Sequence, residues 1–452
     1  MGLPTRLARA PNLLLARWQT TSATLDPALP FSAIPLAPAA WPLLGHIPFM
    51  ASKKTQERMH IAMENVREES GDIFKLSIPG QADSLVIFNP EDINTLYSND
   101  GKVPHIMGFE FFEHLREVMK DRYTTKGLLS NTEEWYTVRH QIQQDMMRPK
   151  SALFYINDMD ELAEELVNKI SVDMGASGAG IADIHPLMQA YALEAVGCIF
   201  LGSKLGTIRG EGDGKKLIDI IEEILPIMQS LLFLPKPLYP FMPSFKKIIS
   251  LQEELFDTAK KHVDAAISRI TDDDESVIAK LVRACGPGSP VPLVMGIDAL
   301  QAGIDTTGTS AAVLLFHLAD NPDKQDILYQ EICATIGPKG KVTECSLGKM
   351  RYLKACQTES QRILPAVFGS SRRTAVGFSF KNTLKYYQVD LVMSGYEVPK
   401  GTNVIRMGHS TANDPANFKN PDKFVPERWL RKSSERHCAH AFANIPWGHG
   451  AR

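Results

Sequence analysis

Between Val294 and Asp320 the chain carries a long apolar stretch with helical character, and a polar island interrupts it. The island reads Ala302-Gly303-Ile304-Asp305-Thr306-Thr307. An acid beside two hydroxyls on a buried helix demands a reason, because an unpaired buried charge is costly. Gly303 lowers helix propensity by about 1 kcal/mol relative to Ala, yet it opens space against the helix. A small residue, an acid and an alcohol together suit oxygen activation at a flat cofactor. The hydroxyl can hold a water or dioxygen, and the acid can relay protons. The alternative is that the hydroxyls bond back to their own helix backbone.

The rest of the chain is organised around that helix. Helical patterns dominate from about residue 130 to about 365, most clearly over Asp158 to Met174, Pro186 to Leu201, Lys215 to Phe233 and Ser244 to Ile270. Lys53 to Ser70 predicts a polar amphipathic helix closed by Gly71, and Ile73 to Ile78 and Leu85 to Phe88 predict short strands. Pro235, Pro237, Pro240 and Pro243 predict a loop near a pocket mouth. The expected fold class is mainly α with a small β region.

Composition removes several functions. Hydrophobic content of 44% and charged content of 22% are those of a globular protein, and a net charge of −3 gives no sign of nucleic acid. The six cysteines are scattered and none forms a CxxC pair, so neither zinc nor a disulfide framework is expected. The 12 histidines contain no HExxH. Arg209 to Lys216 is glycine-rich without the spacing of a phosphate loop, and reads as a surface turn.

No acidic residue precedes Asp26, while Arg6, Arg9 and Arg17 do. Leu3, Leu7, Ala10, Leu14 and Trp18 share one helical face. Residues 1–26 therefore read as a mitochondrial transit peptide. Pro4 and Pro11 weaken that helix, and a disordered tail is the alternative. Six prolines from Pro27 to Pro48 make residues 27–50 a stiff, extended hinge. No uncharged run reaches the ~18 apolar residues of a membrane span.

Three further constellations stand along the chain. Trp135 and Arg139 are four apart on one helical face. Glu359 and Arg362 stand at i, i+3, which also shares a face, and Pro426-Glu427-Arg428-Trp429 follows downstream. The chain ends on Ile445-Pro446-Trp447-Gly448-His449-Gly450-Ala451-Arg452. Gly448 and Gly450 permit close approaches that a side chain would block, and Arg452 can pair with a carboxylate. An ordinary glycine turn is the other reading of that end.

In this order, the four constellations resemble those of the cytochromes P-450, over nearly the whole chain after the presequence. The resemblance implies the cytochrome P-450 fold, with residues 51–452 as a haem domain lacking its C-terminal part. It implies haem b as cofactor, with O2 as co-substrate and no other metal. Asp305 and Thr306 would be the catalytic acid–alcohol pair. Trp135, Arg139, Arg372 and Arg452 would bind the haem propionates. Glu359, Arg362 and Arg428 would form a structural triad holding the ligand loop. In that family the axial cysteine follows the arginine by two residues, so it is expected beyond Arg452. Cys438 lacks the Gly-x-Arg frame and is not nominated. The polypeptide as written would then be catalytically inactive, binding apolar ligand or partner only.

Trp41 to His46, Ala302 to Thr307, Ser394 to Gly401 and Pro446 to Gly450 resemble the mitochondrial branch. That implies a location on the matrix side, with peripheral association with the inner membrane. It implies electrons from a small acidic ferredoxin, docked by Lys349, Arg351 and Lys354, although these cations also read as a solvated face. A further docking lysine of the branch is replaced by Thr358. The implied substrate is apolar and sterol- or steroid-like, with walls from Pro104 to Phe112, Leu232 to Pro243 and Ile297 to Thr306. Gly377 to Gln388 looks like an insertion between Arg372 and the strand leading to Gly395.

Overall fold

Apolar periodicity becomes helix along most of the chain. The longer helices are α1 Met59–Ser70, α2 Pro90–Ser98, α3 Phe109–Val118, α4 Glu133–Met146, α5 Ile156–Ser177, α6 His185–Val196, α7 Gly214–Leu231, α8 Pro243–Ser268, α9 Val277–Cys285, α10 Val291–Asp320, α11 Pro322–Ile336 and α12 Arg351–Ile363. The structure is a computed structural model and describes residues 27–452 except 147–148, 179, 232–233, 235, 287, 339, 375–389, 437–438 and 451–452. The expected transit peptide, Phe233, the 377–388 segment, Cys438 and Arg452 thus lie outside the described residues.

Local chemistry sets several helix ends. Asn89 accepts from the Glu91 amide at 2.8 Å and Pro90 opens α2. Helix α6 continues as a single π turn over Gly197–Leu201 and stops at Gly202, whose φ is 63°. The stretch from Lys53 to Ser70 is not one helix. Arg58, at φ −137° and ψ 49°, separates Lys53–Glu57 from α1. The break turns Met59, Met63 and Val66 onto Phe74 and Leu76, and that burial outweighs one continuous helix.

Among the described residues six short strands complete the fold: β1 Ile73–Leu76, β2 Ser84–Ile87, β3 Ser370–Arg373, β4 Leu391–Met393, β5 Tyr396–Val398 and β6 Asn403–Arg406. One sheet has the order β1-β2-β6-β3, with β2 and β6 parallel and the outer pairs antiparallel. β4 and β5 form a hairpin closed by Ser394 and Gly395, both at positive φ, 48° and 81°. The proline-rich segment is extended only in part, since Phe31–Ala33 is a 3-10 turn and Ile47–Ala51 a short helix. Leu29 exchanges backbone bonds with Gly395 and Glu397 at 2.9 and 2.8 Å, and Ala37 donates to Lys75 at 2.9 Å.

Helix α10 is the axis of the largest core. Val294, Ile297, Leu300 and Ile304 pack among Leu115 of α3, Leu193 of α6 and Ile221 and Ile224 of α7. Close approach requires small residues on α10. A Cβ at Gly308 would lie 3.0 Å from the Gln189 backbone of α6. Among the described residues no helix is long and apolar enough to cross a membrane.

Candidate functional site

Asp305 and Thr306 sit half-buried on α10. Thr306 donates its hydroxyl to the Ala302 carbonyl at 2.8 Å, the back-bond that a helix offers any threonine. Its oxygen keeps acceptor capacity, and it can donate elsewhere only by leaving Ala302. Asp305 enters no ion pair among the described residues. The space that Gly303 opens is taken by Val196 of α6, whose Cγ2 would lie 2.5 Å from an added Cβ. The glycine therefore serves helix packing. Ala302, by contrast, is exposed, and so is Phe316 farther along the same side of α10. Thr309, between them on that side, meets His185 Nε2 at 3.1 Å, so the space for a flat apolar group is at Ala302, one turn before Thr306.

Helix α4 carries the second part of the site. Helix α4 packs on α9, and its Val138 shares one core cluster with Ile278 and Leu281 of α9 and Met295 of α10. Trp135 is buried, and Arg139 is half-buried on the next turn. The Arg139 Nε is buried without a hydrogen-bond partner among the described residues. Desolvation alone pushes the guanidinium pKa down. An orphaned charged donor calls for an anionic oxygen, and a haem propionate supplies one. The chain therefore fits the group on two observations, the exposed Ala302 on α10 and the orphan on α4.

Arg372 is buried on β3 and already engaged. Its Nε donates to Asp100 at 2.7 Å, its Nη1 to the Ser371 carbonyl at 2.9 Å, and its guanidinium lies 4.8 Å from the Tyr97 ring centre. Its Nη2 reaches the His449 carbonyl at 3.5 Å. A propionate at Arg372 would have to share it with Asp100, a partner the sequence did not reveal. The terminal loop lies on the same cluster. Gly448 and Gly450 take φ of 81° and 95°, and His449 meets the Tyr97 ring edge-on at 6.2 Å.

The structure brings Glu359, Arg362 and Arg428 together, all at 5% exposure or less. Arg362 donates to both Glu359 oxygens at 2.9 Å, and Arg428 Nε donates to Oε1 at 3.0 Å. Trp429 Nε1 adds a bond to Oε2 at 2.9 Å, which spacing alone did not expose. The arginines then tie down the following segment through the carbonyls of Ala412, Pro421 and Asn420, at 2.9, 2.7 and 2.7 Å.

Lys349, Arg351 and Lys354 are exposed at and after the short helix Glu344–Lys349, and none enters an ion pair among the described residues. Thr358 bonds back along its own helix to the Lys354 carbonyl at 2.8 Å. A further buried pair has no signature in the sequence. Arg116 of α3 and Asp298 of α10 form an ion pair at 4% and 1% side-chain exposure. Asp298 also accepts from the Leu128 amide at 2.8 Å. Burial pushes the Asp298 carboxyl up, and Arg116 and the amide pull it back. Among the described residues no cluster of His, Cys, Asp and Glu could hold a metal ion.

A central helix with an acid–alcohol pair, an orphaned guanidinium nitrogen on α4 and a buried Glu–Arg–Arg knot are the features that the sequence resemblance led one to look for. The sequence profile of the cytochrome P-450 family matches residues 35–452, and the chain belongs to that family. It is 32% identical to cytochrome P-450 CYP12A2 of Musca domestica over 409 residues, 84% of this chain and 73% of that one. It is 28% identical to the probable mitochondrial cytochrome P-450 12a5 of Drosophila melanogaster, over 96% of this chain and 85% of that one. Mitochondrial cytochrome P-450 302a1 of the same fly is 29% identical, over 87% and 78%.

Proposed function

We propose that this site belongs to a mitochondrial haem-thiolate monooxygenase that hydroxylates an apolar, sterol- or steroid-like substrate with O2 and electrons from a small acidic ferredoxin. The observation that carries the reading is the orphaned Arg139 nitrogen on the turn after buried Trp135, on a helix whose Val138 shares a core cluster with Met295 of the helix bearing Asp305 and Thr306. The mitochondrial relatives support the location and the type of electron donor. When bound, the haem b supplies the oxygen-activating redox chemistry. The protein's part is positional. Trp135 and Arg139 hold a propionate, with Arg372 and Arg452 at the other. Apolar side chains of α3 and α10 exclude water. Asp305 takes protons from solvent, and Thr306 presents them once its hydroxyl leaves Ala302.

Thr306→Ala should cut product formation on the order of 100-fold while electron consumption continues. Parallel measurement of donor oxidation and hydroxylated product checks this, and equal losses in both would remove Thr306 from the proton path. Replacing Lys349, Arg351 and Lys354 by Glu should raise the ferredoxin concentration for half-maximal rate about tenfold at low salt. The effect should shrink as ionic strength rises.

The carbon monoxide difference spectrum of the haem-loaded protein tests the reading. The band of a thiolate-bound haem is expected, and its absence would sink the proposal.

A further inference from the structure

Two buried guanidiniums share one face of the main sheet. β3 and β6 pair with Ser370 opposite Arg406 and Arg372 opposite Val404, so Arg372 and Arg406 are diagonal neighbours on the same side. Both lie against Tyr97 of α2, whose ring centre is 4.8 Å from the Arg372 guanidinium and 5.8 Å from that of Arg406. Arg372 is 3% exposed and Arg406 2%. Like charges side by side on a sheet repel, and a buried charge without a counter-charge is costly.

One acid serves the two cations. Asp100 pairs with Arg372 at 2.7 Å, and among the described residues no acid pairs with Arg406. The partners of Arg406 are neutral: its Nε donates to the Tyr97 and Ser370 hydroxyls, each at 2.8 Å. Its Nη1 and Nη2 make no hydrogen bond among the described residues. The chain keeps room for them, since a Cβ added at Gly408 would collide with Nη1. One positive charge and the fork of the Arg406 guanidinium are therefore left over beside Arg372.

We infer that Arg406 is a further anion-binding residue, which takes one carboxylate together with Arg372 while Asp100 balances the second positive charge. That the carboxylate is a haem propionate rests on the monooxygenase reading above. Two cations, one fixed acid and one propionate make a neutral set, and the repulsion across β3 and β6 is then relieved. A fork that already donates through Nε to Tyr97 and Ser370 is held in place before the anion arrives.

Haem loss to excess apomyoglobin, measured for the haem-loaded protein with natural haem and with haem dimethyl ester, tests the proposal. Arg406→Leu should release natural haem about tenfold faster, the order expected of one charge-assisted hydrogen bond. The diester carries no carboxylate, so wild type and variant should release it at equal rates. The reduction midpoint should move to more negative values in Arg406→Leu, because a nearby cation favours the reduced form, and Arg406→Lys should keep the wild-type value. Arg406→Lys retains the charge and loses the fork, and it decides the matter if Arg406→Leu does not fold. It should release natural haem faster, by a smaller factor, and the diester at the wild-type rate. Equal loss of natural haem from wild type and variants overturns the proposal, as does a difference that persists with the diester. A missing carbon monoxide band with the natural-haem difference intact supports Arg406 as the anchor and counts against the monooxygenase. A normal band without that difference does the reverse.

Discussion

Glu359→Ala is expected to leave little folded protein. The substitution strands Arg362 and Arg428, both buried, without their carboxylate. Breaking a buried pair by removing one partner costs about 3–5 kcal/mol, and here one acid serves two cations. Trp429 Nε1 and the Val425 amide lose the same acceptor. Typical domains have only about 5–15 kcal/mol in total. Soluble yield and a thermal melt followed by circular dichroism are the measurements. Glu359→Gln, which keeps the acceptor oxygen and loses the charge, should fall between the two. A wild-type melt for Glu359→Ala would mean that the knot is decoration and that the meander from Ala412 to Trp429 is held by other contacts.

Asp298→Ala is expected to be nearly as damaging, for the same reason at a different place. It leaves Arg116 buried between α3 and α10, opposite an amide that has also lost its acceptor. The expected loss is again about 3–5 kcal/mol. Substituting both residues, Arg116→Met with Asp298→Leu, should restore most of it, because a well-packed apolar pair can replace a buried ion pair at little cost. A double-mutant cycle by denaturant unfolding reads the coupling directly. Additive losses would show that the two side chains do not depend on each other. Gly127 belongs to the same unit: at φ 61°, its Cβ would come 2.5 Å from the Asp298 carboxylate.

These two clusters also mark how far the sequence can be read. Glu359 and Arg362 are three apart on one helix, so the helical repeat by itself puts them on one face. The long helices are legible for a similar reason, since each repeats its apolar pattern over many turns. Arg116 and Asp298 are 182 positions apart, and Arg372 and Asp100 are 272 apart. No local period connects such partners, and only the packing of whole elements brings them together. Gly303 illustrates a different limit. Its smallness is visible in the sequence, but whether the space belongs to a ligand or to Val196 depends on where α6 lies. Thr306 behaves likewise, its hydroxyl resting on Ala302 as any helical threonine might be drawn to do.

The order of strands in the main sheet bears on how the chain acquires its shape. β1 and β2 are made early, yet β2 pairs with β6, Ser84 facing Asn403. The proline-rich segment has the same dependence, since Leu29 bonds to Gly395 and Glu397. A ribosome would have released some four hundred residues before either partner existed (Asn403 is residue 403 of the 452). Until then the inner edge of β2 stands open, a template for pairing with another chain. Contacts of such long range are slow to form. The helical middle can condense first, around α10, while the first eighty-odd residues wait for the last fifty to close the sheet over them.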